Sequence, residues 1–234
     1  MKAIVRASVS CRRSLNHAKT LHMIRSRQVR LAGTAFSRPR HVCAFFNSKE
    51  EEYQVLLPFI KEGFDEGHRA FHVVDSRRPA EHLQRLTEAG IDVGDAQKKG
   101  QLEVRGWDNA YLQNGYFDQN RMLSLIESVL TEGRAQGYAS TRLVANMEWG
   151  LESRPGVGDI VEYETRLNYI LPKYMDDTVC CTYDVARFGA SVVMDILRTH
   201  PLVIIGGTLQ ENPFAVPPDE FLEELRERAS LSAS

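Results

Sequence analysis

Aromatic and acidic side chains recur where short apolar segments of this sequence end. In an open parallel sheet, the carboxyl ends of the strands border the ligand crevice. Aromatic walls with a few convergent polar groups suit a small, largely apolar organic ligand. The residues at these strand ends are Phe45, Phe46, Asn47, Asp75, Trp107, Asp108, Glu148, Trp149, Tyr183, Asp184, Gly206 and Gly207.

Two interpretations of these positions remain open. Tyr183 could donate a hydrogen bond to a ligand, and Asp184 could orient Tyr183 or accept from the ligand. Alternatively, Trp107 and Trp149 pack at the rim of the sheet, and Asp184 caps the helix that begins near Arg187. Aromatic residues at several strand ends exceed what a core requires, which favours a pocket.

Two histidines are further candidates. His41, Cys43 and Phe45 share one face of a strand, because strand side chains alternate. His41 and Cys43 are two metal-ligand types without a recognisable third, so a hydrogen-bonded structural histidine is the simpler interpretation. His200 precedes Pro201, which ends a helix there, and a proton-responsive role for it is an alternative.

Other reactive residue types have simpler explanations. Glu162 and Arg166 lie four residues apart on a predicted helix and form a surface ion pair. Cys180 and Cys181 lie in a buried strand without a recognisable positive neighbour, so we expect no cysteine nucleophile. We therefore predict no catalytic residue, no metal and no cofactor. Ligand contacts are predicted at His41, Phe45, Phe46, Trp107, Glu148, Trp149, Tyr183, Asp184, His200 and Asn212.

The elements that position these residues alternate between strand and helix patterns, which predicts an α/β domain. Its sheet is mostly parallel and has helices on both faces. Ser48 to Glu51 form a capping box at the start of the first helix. Predicted strands are 41–46, 69–75, 102–107, 141–149, 178–184 and 202–209. Predicted helices are 48–67, 79–90, 122–137, 160–174, 187–200 and 218–228.

Several motifs that this architecture often carries are absent from the sequence. There is no GxxxxGK[ST] and no GxGxxG after a strand. Glu50, Glu51 and Glu52 at the start of the first helix would repel a phosphate. GxSxG, HExxH and CxxC are also absent. Phosphate-dependent chemistry is therefore not expected.

Charge divides the chain into two parts. Residues 1–40 contain ten basic residues and no acidic one, whereas the remainder has 19 basic and 31 acidic residues. We predict a disordered leader, or a start codon assigned too far upstream, with Met23 as the alternative start. A nucleic-acid or partner-binding arm is the alternative. Residues 41–230 form one domain, whose acidity disfavours nucleic-acid binding.

Composition predicts a cytoplasmic protein. Apolar residues at 43% and charged residues at 26% are typical of a globular domain in solution. No apolar run approaches the ~20 residues of a membrane span. The four cysteines lack a disulfide or metal pattern, which favours a reducing compartment.

Residues 41–222 resemble the MEDS family, sensory domains named for methanogen and methylotroph regulators that include a dichloromethane-responsive repressor. This resemblance implies a RecA/KaiC-like fold without a P-loop, and recognition of hydrocarbon derivatives or similar small molecules. The matching segments are His41-Val42-Cys43-Ala44-Phe45-Phe46, Gly67, Met147-Glu148-Trp149, Tyr183-Asp184, Arg198-Thr199-His200-Pro201, Asn212-Pro213-Phe214 and Pro217-Pro218.

The function predicted from residues and resemblance together is a non-catalytic sensor of a small organic molecule. It would signal through a separate protein, such as a histidine kinase, an anti-sigma factor or a transcription regulator. A homo-oligomer is plausible by analogy, and binding to membranes or nucleic acid is not expected. The alternatives are a protein-interaction module without a ligand, and a hydrolase or transferase that uses Asp184, His41 or His200.

Overall fold

A computed structural model of the protein describes residues 29–36 and 41–232. The strands are β1 Val29–Leu31, β2 Thr34–Phe36, β3 His41–Phe46, β4 Arg69–Val74, β5 Leu102–Gly106, β6 Thr141–Asn146, β7 Thr178–Asp184, β8 Leu202–Ile205 and β9 Thr208–Glu211. The α-helices are α1 Lys49–Asp65, α2 Pro79–Glu88, α3 Val93–Lys98, α4 Gln119–Ala135, α5 Ile160–Ile170, α6 Ala190–Thr199 and α7 Pro218–Ser232.

Within the described residues, one sheet has the strand order β5-β4-β6-β7-β3-β8-β9. All its pairs are parallel except β8 with β9. The chain moves along the sheet in one direction from β3 to β5 and in the other from β5 to β8. Because parallel crossovers are right-handed, this reversal places α1–α3 on one face and α4–α6 on the other. The predicted α/β class is thereby confirmed.

Alternating side chains divide the interior into two cores. His41, Cys43 and Phe45 of β3 face α4, α5 and α6, and we call this layer the α4–α6 core. Val42 and Phe46 face the opposite layer, the α1–α3 core. Period-two alternation therefore decides which predicted site residues can meet.

Several predicted boundaries differ from the structure, including the ends of α4, α5 and α7. The strand predicted over 202–209 is a hairpin, β8 and β9, joined by Gly206 and Gly207 with φ of 57° and 68°. Two positive φ values in a two-residue loop match a type I′ turn, which glycine accommodates without strain. The strand predicted to reach Trp149 ends at Asn146 and is followed by a short 3₁₀ helix, and α6 begins at Ala190.

The start of α1 follows the predicted capping box, except that Glu51 bonds to Asn47 rather than to the Ser48 amide. The Ser48 hydroxyl accepts a hydrogen bond from the Glu51 amide at 3.2 Å. The Glu51 carboxylate in turn accepts from the backbone and side-chain amides of Asn47, at 2.8 and 3.1 Å. These bonds fix the chain as it leaves β3.

Part of the basic N-terminal segment has described structure. Residues 29–36 form the antiparallel hairpin of β1 and β2. Val29 and Leu31 are buried in the α1–α3 core. The prediction for residues 1–28 and for 37–40 falls outside the described residues. Across the described part of the chain, no helix has both the length and the apolar character that a bilayer crossing requires.

Candidate functional site

Glu148 is anchored by cations at the carboxyl edge of the sheet. Its Oε1 lies 2.8 Å from Nζ of Lys49 at the start of α1, and its Oε2 contacts Nη1 of Arg187. The Asn146 amide also donates to Oε1, at 3.1 Å. Burial alone raises the pKa of Glu148, but these hydrogen bonds and charges outweigh it and hold the pKa below its ordinary value. Glu148 thus stays ionised and joins three segments of the chain.

A cavity of about 40 Å³ lies beside that edge, between the ends of β4 and β6. Its wall contains a chain of contacts from Tyr53 Oη to His82 Nδ1 at 3.0 Å, and from His82 Nε2 to His72 Nδ1 at 2.8 Å. Burial, and secondarily the charge of Lys49, lowers the pKa of His82 to about 4. The volume suits a few water molecules rather than an organic ligand.

Several of the predicted aromatic residues lie in the α4–α6 core, in two groups of ring contacts. Trp149 stacks on Tyr111 with ring centroids 4.6 Å apart, and Phe117 lies 4.3 Å away on a tilted plane. Tyr183 packs against Phe45 at 5.7 Å and against Phe188 at 5.4 Å. We call the following residues the aromatic cluster: Phe45, Tyr111, Phe117, Trp149, Tyr163, Tyr183 and Phe188.

Two polar atoms in the aromatic cluster lack a partner. Trp149 Nε1 and Tyr183 Oη are buried and have no hydrogen-bond partner among the described residues. By contrast, Trp107 Nε1 donates to the Asn146 carbonyl at 3.1 Å, which matches the rim-packing interpretation. A buried donor left unpaired costs about 1–3 kcal/mol. The cluster is therefore apolar in its walls and holds two unused hydrogen-bond donors.

The remaining predicted contacts lie elsewhere. Phe46 packs in the α1–α3 core, so the sheet separates it from the aromatic cluster. Asp184 accepts a hydrogen bond from the Ala186 amide at 2.9 Å and shapes the loop after β7. The Asn212 amide nitrogen donates to the carbonyls of Leu197 and His200, both at 2.6 Å, and so caps the end of α6.

His41 and His200, the two predicted histidines, meet around a carboxylate in the α4–α6 core. Their Nε2 atoms each lie 3.2 Å from Oε2 of Glu164, which belongs to α5. Sγ of Cys181 on β7 lies 3.5 Å from the same oxygen and 3.9 Å from Nε2 of His41. Each of the four side chains is at most 2% exposed. We call His41, Glu164, Cys181 and His200 the four-residue cluster.

Neighbouring acceptors orient both imidazoles. Nδ1 of His41 lies 3.0 Å from Oδ1 of Asn168. Nδ1 of His200 lies 2.9 Å from the Ile196 carbonyl and 2.7 Å from the Thr199 hydroxyl. Each ring therefore directs its other nitrogen, Nε2, towards Glu164.

Burial and charge act in opposite directions on the ionisable groups of this cluster. Burial raises the pKa of Glu164, but its close contacts with the imidazoles of His200 and His41 outweigh burial and lower the pKa to about 2. Burial, together with the charge on Glu164, raises the pKa of the Cys181 thiol. Burial lowers the pKa of His200, and His41 adds to that effect.

No sequence motif predicts a role for Glu164, Cys181 or Asn168. The predicted surface pair of Glu162 and Arg166 is present, with 3.8 Å between the charged atoms. Glu164, however, lies four residues after the inward-facing Ile160, on the buried side of α5. A carboxylate on an otherwise apolar helix face is the signal that could have identified it.

Comparisons with known proteins identify relatives of this chain. The family model "MEthanogen/methylotroph, DcmR Sensory domain" (MEDS) matches residues 40–201. The transcriptional repressor DcmR of Methylorubrum extorquens is 26% identical over 173 residues, which are 74% of this chain and 62% of the repressor. The chain thus spans less than two thirds of that relative's length.

A solved structure supports the same fold. The KaiC-like protein of Pyrococcus horikoshii OT3 matches with a TM-score of 0.52 and 17% identity, over 72% of this chain and 71% of that protein. At this identity the likeness concerns the fold alone. The predicted KaiC-like architecture is confirmed.

Proposed function

Because the chain belongs to the MEDS family of sensory domains, we propose that it binds a small organic molecule in the aromatic cluster. Binding then changes its affinity for a separate signalling protein. The resemblance seen in the sequence is confirmed by the family match over residues 40–201. A sensory or regulatory role follows from that family and from the repressor relative. The ligand and the partner are the parts that we propose.

The observation that supports this ligand site is the pair of unpartnered donors, Trp149 Nε1 and Tyr183 Oη. Donors buried among aromatic rings favour a ligand with an apolar body and a hydrogen-bond acceptor. Hydrocarbon derivatives with an oxygen, nitrogen or halogen atom have this character. Such a ligand would also accept hydrogen bonds from these two donors, which are costly to leave unpaired when buried.

Ligand access requires movement of the chain, because Trp149 and Tyr183 are fully buried. Phe188 covers Tyr183 from the loop between β7 and α6. The short 3₁₀ helix that follows β6 lies beside this loop, since a methyl group added at Gly150 would lie 3.5 Å from the Phe188 ring. A ligand that separates them would couple binding to a change of surface, which a sensor needs.

Signalling through a partner fits the relative's name and the chain's own charge. DcmR is a transcriptional repressor. We propose a transcription regulator, a histidine kinase or an anti-sigma factor as the partner, with a homo-oligomer as a further form. The acidic residues that dominate positions 41–234 disfavour direct nucleic-acid binding by this domain. The four-residue cluster is buried, so a substrate could not reach its side chains, which favours a non-catalytic role.

The ligand site can be tested with 5-fluorotryptophan, since the chain has two tryptophans. ¹⁹F NMR then observes Trp149 in the cluster and Trp107 as an internal reference, assigned with Trp107→Phe. The probes are one- to four-carbon alcohols, aldehydes, amines and chlorinated alkanes. We expect one class to shift the Trp149 signal saturably, while the Trp107 signal moves less.

Tyr183→Phe removes one proposed hydrogen bond and should weaken that binding about three- to tenfold. Tyr169→Phe is the matched control, because Tyr169 is an exposed tyrosine on α5 and should bind as wild type does. The ligand site is refuted when no probe class shifts Trp149 at about 10 mM, which corresponds to negligible affinity. Equal affinity in Tyr183→Phe and wild type refutes the role of Tyr183.

A further inference from the structure

We propose that His41, Glu164, Cys181 and His200 bind one divalent transition-metal ion, with zinc as the expected element. Their ligand atoms all lie within 4.8 Å of one another, although the residues come from four separate elements. The inference does not depend on the organic ligand proposed above. It contradicts the expectation from sequence that the chain has no metal site.

Hydrogen bonding fixes the tautomer of His41. The Asn168 amide nitrogen lies 2.8 Å from the Thr199 carbonyl and 3.3 Å from the Glu164 carbonyl, so it must be the donor end. The other end, Oδ1, is then an acceptor facing His41 Nδ1 at 3.0 Å. Nδ1 of His41 therefore bears the proton, and a neutral ring directs the Nε2 lone pair towards Glu164.

The same reasoning applies to His200. Its Nδ1 lies 2.9 Å from the Ile196 carbonyl, which can only accept. The Thr199 hydroxyl already donates to that carbonyl at 2.8 Å, so it can accept from His200 as well. Nδ1 of His200 bears the proton, and its Nε2 has no hydrogen-bond partner among the described residues. Metal-binding histidines characteristically donate their second ring nitrogen in this way.

These tautomers direct two nitrogen lone pairs at a carboxylate, which is repulsive unless a cation lies between them. One added proton would satisfy only one imidazole. Two added protons would satisfy both, but they would leave a net positive charge in an apolar core, where an uncompensated charge is very costly. A divalent cation interacts favourably with both imidazoles and the carboxylate at once.

Charge balance also favours a divalent ion with a thiolate ligand. The Cys181 thiol donates towards the Glu164 carboxylate, with Sγ 3.5 Å from Oε2, so its proton lies where the metal ion would bind. Metal binding would displace that proton to solvent, as it does at other cysteine ligands. One thiolate, one carboxylate and two neutral imidazoles then neutralise a 2+ ion. The ion and its four ligands together would carry no net charge, which is compatible with complete burial.

Four of the six separations between the donor atoms are close to those of a tetrahedral site. Zinc binds nitrogen and oxygen at about 2.0–2.2 Å and sulfur at about 2.3 Å, so neighbouring ligand atoms lie about 3.3–3.8 Å apart. The nitrogen–oxygen separations here are both 3.2 Å. The sulfur–oxygen and sulfur–nitrogen separations are 3.5 and 3.9 Å. The other two separations, both to Nε2 of His200, are within 4.8 Å, so a shift of His200 of up to about 1 Å would complete the coordination.

The donor set points to the element. Two imidazoles with one thiolate and one carboxylate form a borderline-soft site, and calcium or magnesium would prefer oxygen ligands alone. Four protein ligands leave no open position, which is typical of a structural zinc site. Such an ion would join β3 and β7 to α5 and to the end of α6.

The first test is elemental analysis of protein purified without a polyhistidine tag and without chelators. We expect about one zinc per chain in the wild type and less than about a tenth of that in Cys181→Ser. Cys180→Ser is the matched control, because Cys180 is equally buried on the same strand but faces the α1–α3 core. It should retain the metal. Loss of metal from both variants would show a general folding effect and would count against the site.

Cobalt reconstitution gives a second measurement that does not depend on what the purified protein retains. Chelator-treated wild type given Co²⁺ should show tetrahedral d–d absorption and a thiolate-to-cobalt charge-transfer band. Cys180→Ser should show both, and Cys181→Ser should lose the charge-transfer band. His200→Gln should bind cobalt at least tenfold more weakly. A folded wild type that binds neither zinc nor cobalt in stoichiometric amount would overturn the proposal.

Discussion

His72 and His82 lie side by side in the wall of the cavity between β4 and β6, and both are buried. Burial lowers the pKa of His82 to about 4, and burial with the nearby His82 lowers the pKa of His72 well below its ordinary value. In an unfolded chain both would titrate near pH 6.5. Below that pH the unfolded chain binds protons that the folded chain does not, so acid favours unfolding.

The free energy of unfolding should therefore fall as pH decreases from about 6.5 to about 4. Above this pH range His82 is neutral in both the folded and the unfolded protein. Below it His82 is protonated in both, so it causes no further loss of stability. His82 alone should contribute about 3 kcal/mol, at about 1.4 kcal/mol per unit of pKa difference. Urea denaturation at several pH values measures this for wild type and for His82→Gln, which should show a flatter dependence.

Tyr53→Phe is the control for this comparison. It removes the hydroxyl that contacts His82 at 3.0 Å but leaves the titrating imidazole in place. Its pH dependence should resemble that of the wild type. A slope in His82→Gln as steep as in wild type would refute the assignment to His82.

Only some residues of the candidate site could be predicted from the sequence. Trp149 and Tyr183 could be predicted because their positions at strand ends depend on local pattern. The importance of Cys181 could not, because its contacts are to Glu164 and His41, 17 and 140 residues away along the chain. Adjacent Cys180 and Cys181 are alike in sequence, and only the pairing of β7 shows which core each one faces.

The loop from Glu152 to Asp159 is an element whose backbone holds the aromatic cluster in place. The Phe117 amide donates to the Pro155 carbonyl at 2.9 Å, and Phe117 packs on Trp149. Gly156 has a φ of 80°, and a Cβ atom there would lie 2.2 Å from the Phe117 carbonyl oxygen. Only glycine fits this close approach without displacing one of the two segments.

Gly156→Ala should destabilise the protein by about 2–3 kcal/mol, through backbone strain and separation of the loop from Phe117. Gly158→Ala is the matched control, since a Cβ at Gly158 meets nothing within 4 Å. That variant should stay within about 0.5 kcal/mol of wild type. Chemical denaturation followed by circular dichroism compares the two, and equal stabilities would contradict the role of Gly156.

Helices and strands were largely predictable, since most boundaries depend on local periodicity and caps. The hairpin of β8 and β9 was not predicted, because this segment was assigned to a single strand. The segment from Leu202 to Leu209 is predominantly apolar, so the sequence alone favours one strand. Gly206 and Gly207 are compatible with a strand end as well as a turn. Pairing of Val203 with Gln210 distinguishes the two, and this pairing follows from tertiary structure.

For the molecule as a whole, sequence predicts that helices cover both faces of the sheet but not which helix covers which face. That division depends on the strand order, in which β3 lies between β7 and β8, far from its successor β4. The order follows from long-range pairing rather than local pattern. It also places the aromatic cluster and the four-residue cluster together in the α4–α6 core.

This asymmetry allows a test of the proposed metal across the whole molecule. The four-residue cluster joins the sheet to α5 and α6, whereas α1–α3 lie on the opposite face of the sheet. A chelator should therefore increase amide hydrogen exchange in Ile160–Ile170 and Ala190–Thr199 and leave Lys49–Asp65 nearly unchanged.

The melting temperature should fall at the same time, because an ion that binds only the folded state stabilises it by mass action. At about a hundred times the dissociation constant this is about 2.7 kcal/mol, or about 5–10 °C for a chain of this size. Cys181→Ser should exchange in the same way with and without chelator. Equal increases in hydrogen exchange on both faces of the sheet would instead indicate that the whole structure loosens. That result would contradict the proposal that the ion links the sheet to α5 and α6.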